Sequence, residues 1–140
     1  MIPYGKQEIN QADIDAVVDV LNSDFLTQGP QVPAFERALI EVADASYALA
    51  VNSATSALHI ACLALGLGEG DRLWTTPITF VASANCGLYC GASIDFVDID
   101  PVTYNLCPQA LEQKLIVAKL QKCLPKVLVA VHLCGQPCDM

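Results

Sequence analysis

The sequence predicts an α/β fold in which a mostly parallel sheet carries helices on both faces. Short runs of β-type residues, apolar on both faces, alternate with helix-length segments from about residue 46 of the 140-residue chain. Strands buried on both faces are typical of parallel sheets, whose crossover connections are usually helices. A hydrophobic fraction of 54%, with only 16% charged residues, allows a real core and excludes a disordered chain.

Two amphipathic helices are predicted before the sheet begins. Asn10 is a candidate N-cap followed by an acidic first turn, and helical spacing of apolar residues predicts a helix ending near Ser23. The apolar residues of this helix are Ile14, Val17, Val18 and Leu21. After a loop marked by Gly29 and Pro30, a second helix is predicted over about 33–43. Its inward-facing residues are expected to be Phe35, Leu39 and Val42.

Four strands and three further helices are predicted in the rest of the chain. The β-type runs cover residues 48–51, 72–75, 94–97 and 126–131. The helix-length segments between them cover residues 56–67, 80–89 and 108–122. In a parallel α/β sheet, ligands bind beyond the carboxyl ends of the strands, so the loops that follow the strands are the candidate sites.

Charge and polarity exclude two classes of partner. Seven Lys+Arg against 15 Asp+Glu argue against binding to nucleic acid or an anionic membrane. Two uncharged stretches, 45–68 and 73–94, contain interrupting polar residues and lack anchoring flanks, so we interpret them as buried strand–turn–helix units. No signal peptide is visible, and seven scattered cysteines indicate reduced thiols, so we expect a cytoplasmic protein.

A turn that suits an anion follows the first predicted strand. Free backbone N–H groups and the helix dipole favour a negative ligand there, and Thr55 and Ser56 add hydroxyl donors. The small residues Ala54 and Ala57 let a phosphate approach closely. Taken alone, the turn is better explained as a plain N-cap, because Ser and Thr are preferred at that position. Neither a P-loop nor a G-x-G-x-x-G turn is present.

An aromatic residue stands just past the carboxyl end of the next predicted strand. Phe80 lies one strand–helix unit beyond the anion-binding turn, where its ring can stack on a planar ligand. As an isolated feature, such an aromatic is more often a core residue than a cofactor platform.

Four segments in combination resemble a known enzyme family. They are residues 52–58 (NSATSAL), 75–85 (TTPITFVASAN), 95–101 (DFVDIDP) and 132–140 (HLCGQPCDM). Together they resemble the DegT/DnrJ/EryC1/StrS sugar aminotransferases, which are fold-type-I enzymes that use pyridoxal 5'-phosphate (PLP). Within the family, the likeness is to the branch that aminates C4 of a UDP-linked 4-keto-6-deoxy-N-acetylhexosamine for pseudaminic acid.

The resemblance implies a set of site residues. Thr55 and Ser56 are expected to hold the PLP phosphate, and Phe80 to stack on the pyridine ring. Tyr4 and the loop at 24–29 are expected where the family receives the nucleotide-sugar; the loop residues singled out are Phe25, Leu26 and Thr27. Glutamate is the expected amino donor, and the full-length enzyme is expected to be a homodimer.

The resemblance also implies that this chain is the N-terminal portion of such an enzyme. Residues of about 1–45 would form an arm and helices, and about 46–140 the first part of the PLP-binding large domain. Transamination needs a Schiff-base lysine and a carboxylate for the pyridinium nitrogen, and in the family both lie downstream of the Gly-Gln-Pro loop. We therefore expect them beyond Met140 and expect no catalysis by this chain alone.

No local residue replaces that lysine or carboxylate convincingly. The five lysines are predicted on an outer helix, at the amino end of a strand or near the N-terminus: Lys114, Lys119, Lys122, Lys126 and Lys6. Three carboxylates, those of Asp95, Asp98 and Asp100, are in principle able to meet the pyridinium nitrogen. For Asp98 and Asp100, a role in shaping the turn before Pro101 is the favoured interpretation.

Other constellations are interpreted as structural, and no metal site is predicted. Two Cys-x-x-x-Cys pairs, at 86/90 and 134/138, have a spacing that is wide for zinc, and the first pair would share one helix face as core residues. His59 is expected to be a core histidine, whereas His132, at a strand end, is expected to line the site.

Three alternatives remain open from the sequence. One is an aminotransferase for another nucleotide or another keto position, because loops outside this segment also decide the substrate. The second is a truncated, non-catalytic α/β module that binds a phosphate ligand or pairs with an intact subunit. The third is a remnant without function.

Overall fold

The computed structural model describes residues 5–140, so Tyr4 lies outside the described residues. By their contacts the described residues group into two compact units, which divide between Ala50 and Val51. Within the described part, no helix has the length and apolar character needed to cross a membrane.

The first unit contains the two predicted helices. Helix α1 spans Gln11–Leu21, and Asn10 caps it through a capping box with Asp13, in which each side chain bonds the other residue's backbone N–H. Helix α2 spans Gln31–Ala43, beginning two residues earlier than predicted. It ends at Asp44, whose left-handed backbone (φ 48°) stops the helix. The prediction of both helices is confirmed.

The predicted inward face of α2 is wrong for this structure. Phe35, Leu39 and Val42 are all exposed, Val42 by 88%. The apolar face of α1 is exposed as well. Within their own unit of about fifty residues, two helices have too little surrounding chain to cover their apolar faces, so amphipathic patterning produced helices without burial there.

The first predicted strand, 48–51, is also not formed. No strand of the described chain lies beside it, and a strand without a ladder partner has no place for its backbone hydrogen bonds. The Ala50 N–H instead donates to Oε1 of Glu36 on α2, at 2.9 Å.

The second unit has the predicted alternation of helices and parallel strands. Its elements in chain order are α3 Ala54–Ala64, β1 Arg72–Thr75, α4 Ala82–Tyr89, β2 Ser93–Phe96, α5 Pro108–Leu120 and β3 Val127–Leu128. A short 3-10 turn, Leu133–Gly135, follows. The three strands form one parallel sheet in the order β2-β1-β3, which confirms the predicted sheet.

The third strand is shorter than predicted. Ladder pairing covers only Val127–Leu128 of the predicted 126–131. The chain nevertheless stays beside β1, because the Val129 N–H donates to the Trp74 carbonyl and the Thr75 hydroxyl donates to the Val129 carbonyl. The segment after β3 is therefore held at the carboxyl edge of the sheet.

Helices cover both faces of this sheet. Side chains of successive strand residues point to opposite faces, so Leu73 and Trp74 of β1 enter different cores. Leu73 packs with Cys62 of α3 and Cys86 of α4, whereas Trp74 packs with Ala118 of α5. Helices α3 and α4 thus lie on one face and α5 on the other.

Candidate functional site

The predicted anion-binding turn forms the N-terminus of α3. Ser53 is the N-cap, and its Oγ accepts a hydrogen bond from the Ser56 N–H at 3.2 Å. The Ser56 hydroxyl donates to Oδ1 of Asn52 at 2.7 Å. An N-cap in this turn, which the sequence favoured without singling out a residue, is therefore confirmed; the structure assigns it to Ser53, two residues before the predicted helix start at 56, and Asn52 adds a second hydrogen bond that holds the turn.

The same turn keeps donors free for an anion. Within the described chain, the hydroxyl of Thr55 and the backbone N–H groups of Ala54 and Thr55 have no hydrogen-bond partner. Thr55 is half-buried, so its donors are open to a ligand, whereas the N–H and the hydroxyl of Ser56 are bonded to Ser53 and Asn52. Backbone N–H groups and a hydroxyl at a helix N-terminus fit a phosphate in charge and in hydrogen bonding. The binding of PLP there by Thr55 and Ser56 stays a prediction.

Phe80 lies between the end of β1 and the start of α4, with its ring turned outward. The side chain is 74% exposed, while its carbonyl accepts the Ser83 N–H and so begins the helix. An exposed ring at the carboxyl edge of a parallel sheet suits stacking on a planar ligand better than core packing. Helices α3 and α4 pack together, and among the described residues no hydrogen bond joins Phe80 to the Ser53 turn.

The residues predicted for the nucleotide-sugar lie in the first unit. Phe25, Leu26 and Thr27 are exposed and occupy the loop between α1 and α2, where the Ser23 hydroxyl bonds the backbone of Phe25. With Tyr4 outside the described residues, the assignment of all four to substrate binding stays a prediction.

The three carboxylates weighed for the pyridinium nitrogen differ in their surroundings. Asp95 forms an ion pair with Lys114 at 2.7 Å, and the hydrogen bond from that lysine lowers the pKa of the carboxyl. Oδ1 of Asp100 accepts the backbone N–H groups of Thr103 and Val102, which lower the pKa of Asp100. The turn-shaping role predicted for Asp100 is confirmed. Asp98 likewise accepts the N–H of Ile99.

The two lysines with described ion pairs, Lys114 and Lys126, bind carboxylates away from the α3 turn. Lys114 lies on α5, with its Nζ 4.8 Å from the centroid of the Trp74 ring, on the sheet face opposite to α3. Lys126 precedes β3 at the amino edge of the sheet and pairs with Asp71 at 2.9 Å. Their positions agree with the predicted outer helix and strand beginning.

Most of the cysteines and histidines considered as candidate site residues make structural contacts instead. Cys62 and Cys86 are buried in one core, and burial raises the pKa of Cys62 to about 11. His59 is half-buried and meets the ring of Tyr89 edge to face, with centroids 5.3 Å apart. Nδ1 of His132 accepts the Cys138 N–H at 3.0 Å. Among residues 5–140, no group of three or more metal-ligating side chains is assembled.

Comparison with known proteins decides the family. The DegT/DnrJ/EryC1/StrS aminotransferase family matches residues 7–140. The chain belongs to this family. A UDP-4-amino-4,6-dideoxy-N-acetyl-beta-L-altrosamine transaminase of Campylobacter jejuni is 46% identical over 116 residues, which are 83% of this chain and 30% of the relative.

Solved structures of this aminotransferase family share the fold. The PLP form of a putative sugar aminotransferase from Streptococcus pneumoniae matches with a TM-score of 0.85 at 31% identity, covering 99% of this chain and 34% of that one. Helicobacter pylori PseC, an aminotransferase of pseudoaminic acid biosynthesis, matches with a TM-score of 0.83 at 34% identity. That match covers 98% of this chain and 36% of PseC.

The matches also show which part of the family's fold this chain corresponds to. It spans about a third of the length of the curated relatives that it matches. Its fold is that of the N-terminal portion of a PLP-dependent aminotransferase, and the family and its PLP-form structure indicate pyridoxal phosphate as the cofactor.

Sequence reasoning missed one polar residue of this edge. Asn105 is 4% exposed and bonds the loop that follows β3 through three hydrogen bonds. The available signal was an isolated amide between Tyr104 and Leu106, just before a helix, which is also typical of an ordinary turn.

Proposed function

We propose that the full-length protein carrying this sequence is a cytoplasmic, homodimeric, PLP-dependent nucleotide-sugar aminotransferase. It transfers an amino group from glutamate to C4 of a UDP-linked 4-keto-6-deoxy-N-acetylhexosamine in pseudaminic acid biosynthesis. This 140-residue chain supplies the beginning of the large domain, from about residue 46, and the Schiff-base lysine comes from the sequence beyond it.

The observation that carries the proposal is the 46% identity to the Campylobacter jejuni transaminase. It extends over 116 residues and is accompanied by the structural match to PseC. An aminotransferase for another nucleotide-linked keto sugar is the alternative, since the remaining two-thirds of the relatives' length also contributes to their sites.

Each site residue of this chain has a binding role in the proposal. PLP, when bound, supplies the carbonyl that captures the amine and the ring that stabilises the developing carbanion. The Thr55 hydroxyl and the free N–H groups of the α3 turn bind its phosphate, the Ser56 hydroxyl exchanges its bond to Asn52 for one to the phosphate, and Phe80 fixes the plane of the ring. The loop around Leu26, with Tyr4, contacts the nucleotide-sugar.

Cofactor retention tests the site residues. In the full-length protein, Thr55→Ala removes a phosphate donor and Phe80→Ala removes the stacking ring, so each is expected to weaken PLP binding by about tenfold. Thr55→Ser and Phe80→Trp preserve the donor and the ring, and Tyr47→Ala truncates another exposed aromatic, 91% exposed. Equilibrium dialysis against PLP is the measurement, and parental retention by both alanine variants would refute the assignment.

A panel of keto-sugars tests the substrate. The full-length protein is given UDP-linked 4-keto-6-deoxy-N-acetylhexosamines and dTDP-linked 3-keto sugars, with glutamate, and amino-sugar products are followed by mass spectrometry. Amination of the UDP-4-keto sugar is expected. Amination of dTDP-3-keto sugars alone would disprove the pseudaminic assignment and leave the aminotransferase class intact.

A further inference from the structure

A tight turn before α5 holds one buried amide in a fixed position. The Asp100 N–H donates to the Asn105 carbonyl and the Tyr104 N–H donates to the Asp100 carbonyl, both at 2.8 Å. Tyr104 adopts a left-handed backbone (φ 60°), and the Asp100 carboxylate binds the backbone of Thr103. A strained residue persists only where surrounding contacts enforce it, so this turn is a rigid mount for Asn105.

The Asn105 side chain clamps the strand-end loop, which we define as residues 132–138. Its Nδ2 donates to the carbonyls of Gln136 and Pro137, at 2.9 and 3.0 Å, and its Oδ1 accepts the Leu133 N–H at 3.0 Å. The partners settle the orientation of the amide, since two carbonyls require donors and one N–H requires an acceptor. Asn105 makes these three hydrogen bonds while it is only 4% exposed to solvent.

The clamped loop fixes an exposed imidazole. The Cys138 N–H donates to Nδ1 of His132 at 3.0 Å, and the Cys138 thiol donates to the Val131 carbonyl at 3.2 Å. Because Nδ1 accepts, the proton of the neutral ring is on Nε2. His132 follows β3 at the carboxyl edge of the sheet, so Nε2–H is a donor pre-oriented at the edge where parallel sheets bind ligands.

We propose that Asn105 is a positioning residue that holds the strand-end loop and so presents Nε2–H of His132 to an oxygen of the bound ligand. The identity of the ligand rests on the proposed function, and the oxygen belongs either to PLP or to the nucleotide-sugar. A donor held before the ligand arrives loses less entropy on binding, which is the advantage of clamping a loop through a buried amide.

The test uses three variants of the full-length protein. Asn105→Asp keeps the acceptor for Leu133 but places a carboxylate oxygen against two carbonyls, which opens the clamp. Thr103→Val removes two hydrogen bonds within the same turn, one to the Asp100 carboxylate and one from the Asn105 N–H, but leaves the three bonds of the Asn105 amide to the loop, and serves as the matched control. His132→Gln removes the imidazole at an exposed position. Each is measured by ¹⁵N NMR of the histidine ring, by PLP affinity and by steady-state kinetics.

The parent is expected to show His132 as a single Nε2–H tautomer, and Asn105→Asp to show averaged tautomers. Asn105→Asp and His132→Gln should each raise either the PLP dissociation constant or the KM for the nucleotide-sugar by about tenfold, with kcat within about twofold. Which of the two constants rises identifies the ligand oxygen. The double variant should be no worse than either single variant.

Three results would overturn the proposal: an unchanged His132 spectrum in Asn105→Asp, an equal loss in Thr103→Val, or unaltered PLP affinity and KM in His132→Gln. The last applies even if Asn105→Asp does not fold, because His132 is exposed. If the parent binds no PLP and aminates no sugar, the proposed function fails by itself, while the tautomer of His132 still reports on the clamp.

Discussion

Ser53, Thr55 and Ser56 lie in the first turn of α3, where one hydroxyl caps the helix and another is free for a ligand. The Ser53 hydroxyl accepts the Ser56 N–H, so it satisfies a backbone donor and stabilises the helix itself. The Thr55 hydroxyl has no partner within the described chain and is available to a ligand. Two small substitutions can therefore separate the contribution of this turn to stability from its contribution to ligand binding: one at Ser53 and one at Thr55.

Ser53→Ala is expected to lower the free energy of unfolding by about 1 kcal/mol, because the N-cap hydrogen bond is lost. Thr55→Ala, which breaks no described hydrogen bond, is the matched control and should change it by less than about 0.5 kcal/mol. Denaturant unfolding of the cofactor-free protein measures both. Equal losses in the two variants would show that Thr55 is also structural.

At the scale of elements, one lysine joins α5 to the sheet. Nζ of Lys114 pairs with Asp95 of β2, donates to the carbonyl of Phe96 and lies over the ring of Trp74. The lysine thus ties the helix to β2 at a charge pair and to β1 through a cation–π contact. The Asp95 side chain is about half exposed, so solvent screening limits the strength of the pair.

This pair predicts a pH dependence of stability. The pKa of Asp95 is lower in the folded than in the unfolded protein, so its contribution is present above the unfolded value of about 4 and is lost as the pH falls through the folded value. Lys114→Met should remove about 0.5–1 kcal/mol at neutral pH and flatten the loss of stability in acid. The measurement is denaturant unfolding between neutral pH and about pH 3.

Lys119→Met is the matched control for this experiment, since Lys119 lies on the same helix and has no ion pair within the described chain. It should leave the pH profile of the parent unchanged. An identical profile in Lys114→Met and Lys119→Met would mean that the Asp95 pair contributes nothing measurable.

At the scale of the whole molecule, the fold places two lysines in ion pairs. Lys114 and Lys126 form the two described ion pairs, one on the α5 face of the sheet and the other at its amino edge. A Schiff base requires a lysine that reaches the PLP carbonyl, and neither of these faces the α3 turn where the phosphate is proposed to bind.

We therefore expect that the isolated 140-residue chain, when mixed with PLP, forms no Schiff base at one defined lysine. Its visible spectrum should lack the absorbance band of such a Schiff base. Borohydride reduction followed by peptide mass spectrometry is the measurement, with the full-length protein as the control that should be labelled at a single downstream lysine. A specific adduct on one of the five lysines of this chain would contradict the expectation.

Local signals predicted much of the fold because the determining interactions are short in sequence. Asn10 caps α1 within one turn and the apolar residues from Ile14 to Leu21 repeat at helical spacing, so α1 was predictable from the local sequence. Strand β1 was predicted with its observed bounds, because its run is apolar on both faces and flanked by polar residues. The residues at 48–51 (ALAV) are also apolar on both faces but have no strand paired with them, and pairing cannot be deduced from a strand alone.

The sequence by itself determined the helices and the parallel character of the sheet, favoured an N-cap before α3, and indicated the family through the resemblance of four segments. The first three depend on periodicity and on turn chemistry, and each of the four segments is short and continuous along the chain. Only the tertiary structure decided that Trp74 and Leu73 serve opposite cores, that Lys114 reaches Asp95, and that Asn105 clamps a loop about thirty residues away. The reason is physical: such contacts are made between elements, and their geometry exists only once the sheet has brought those elements together.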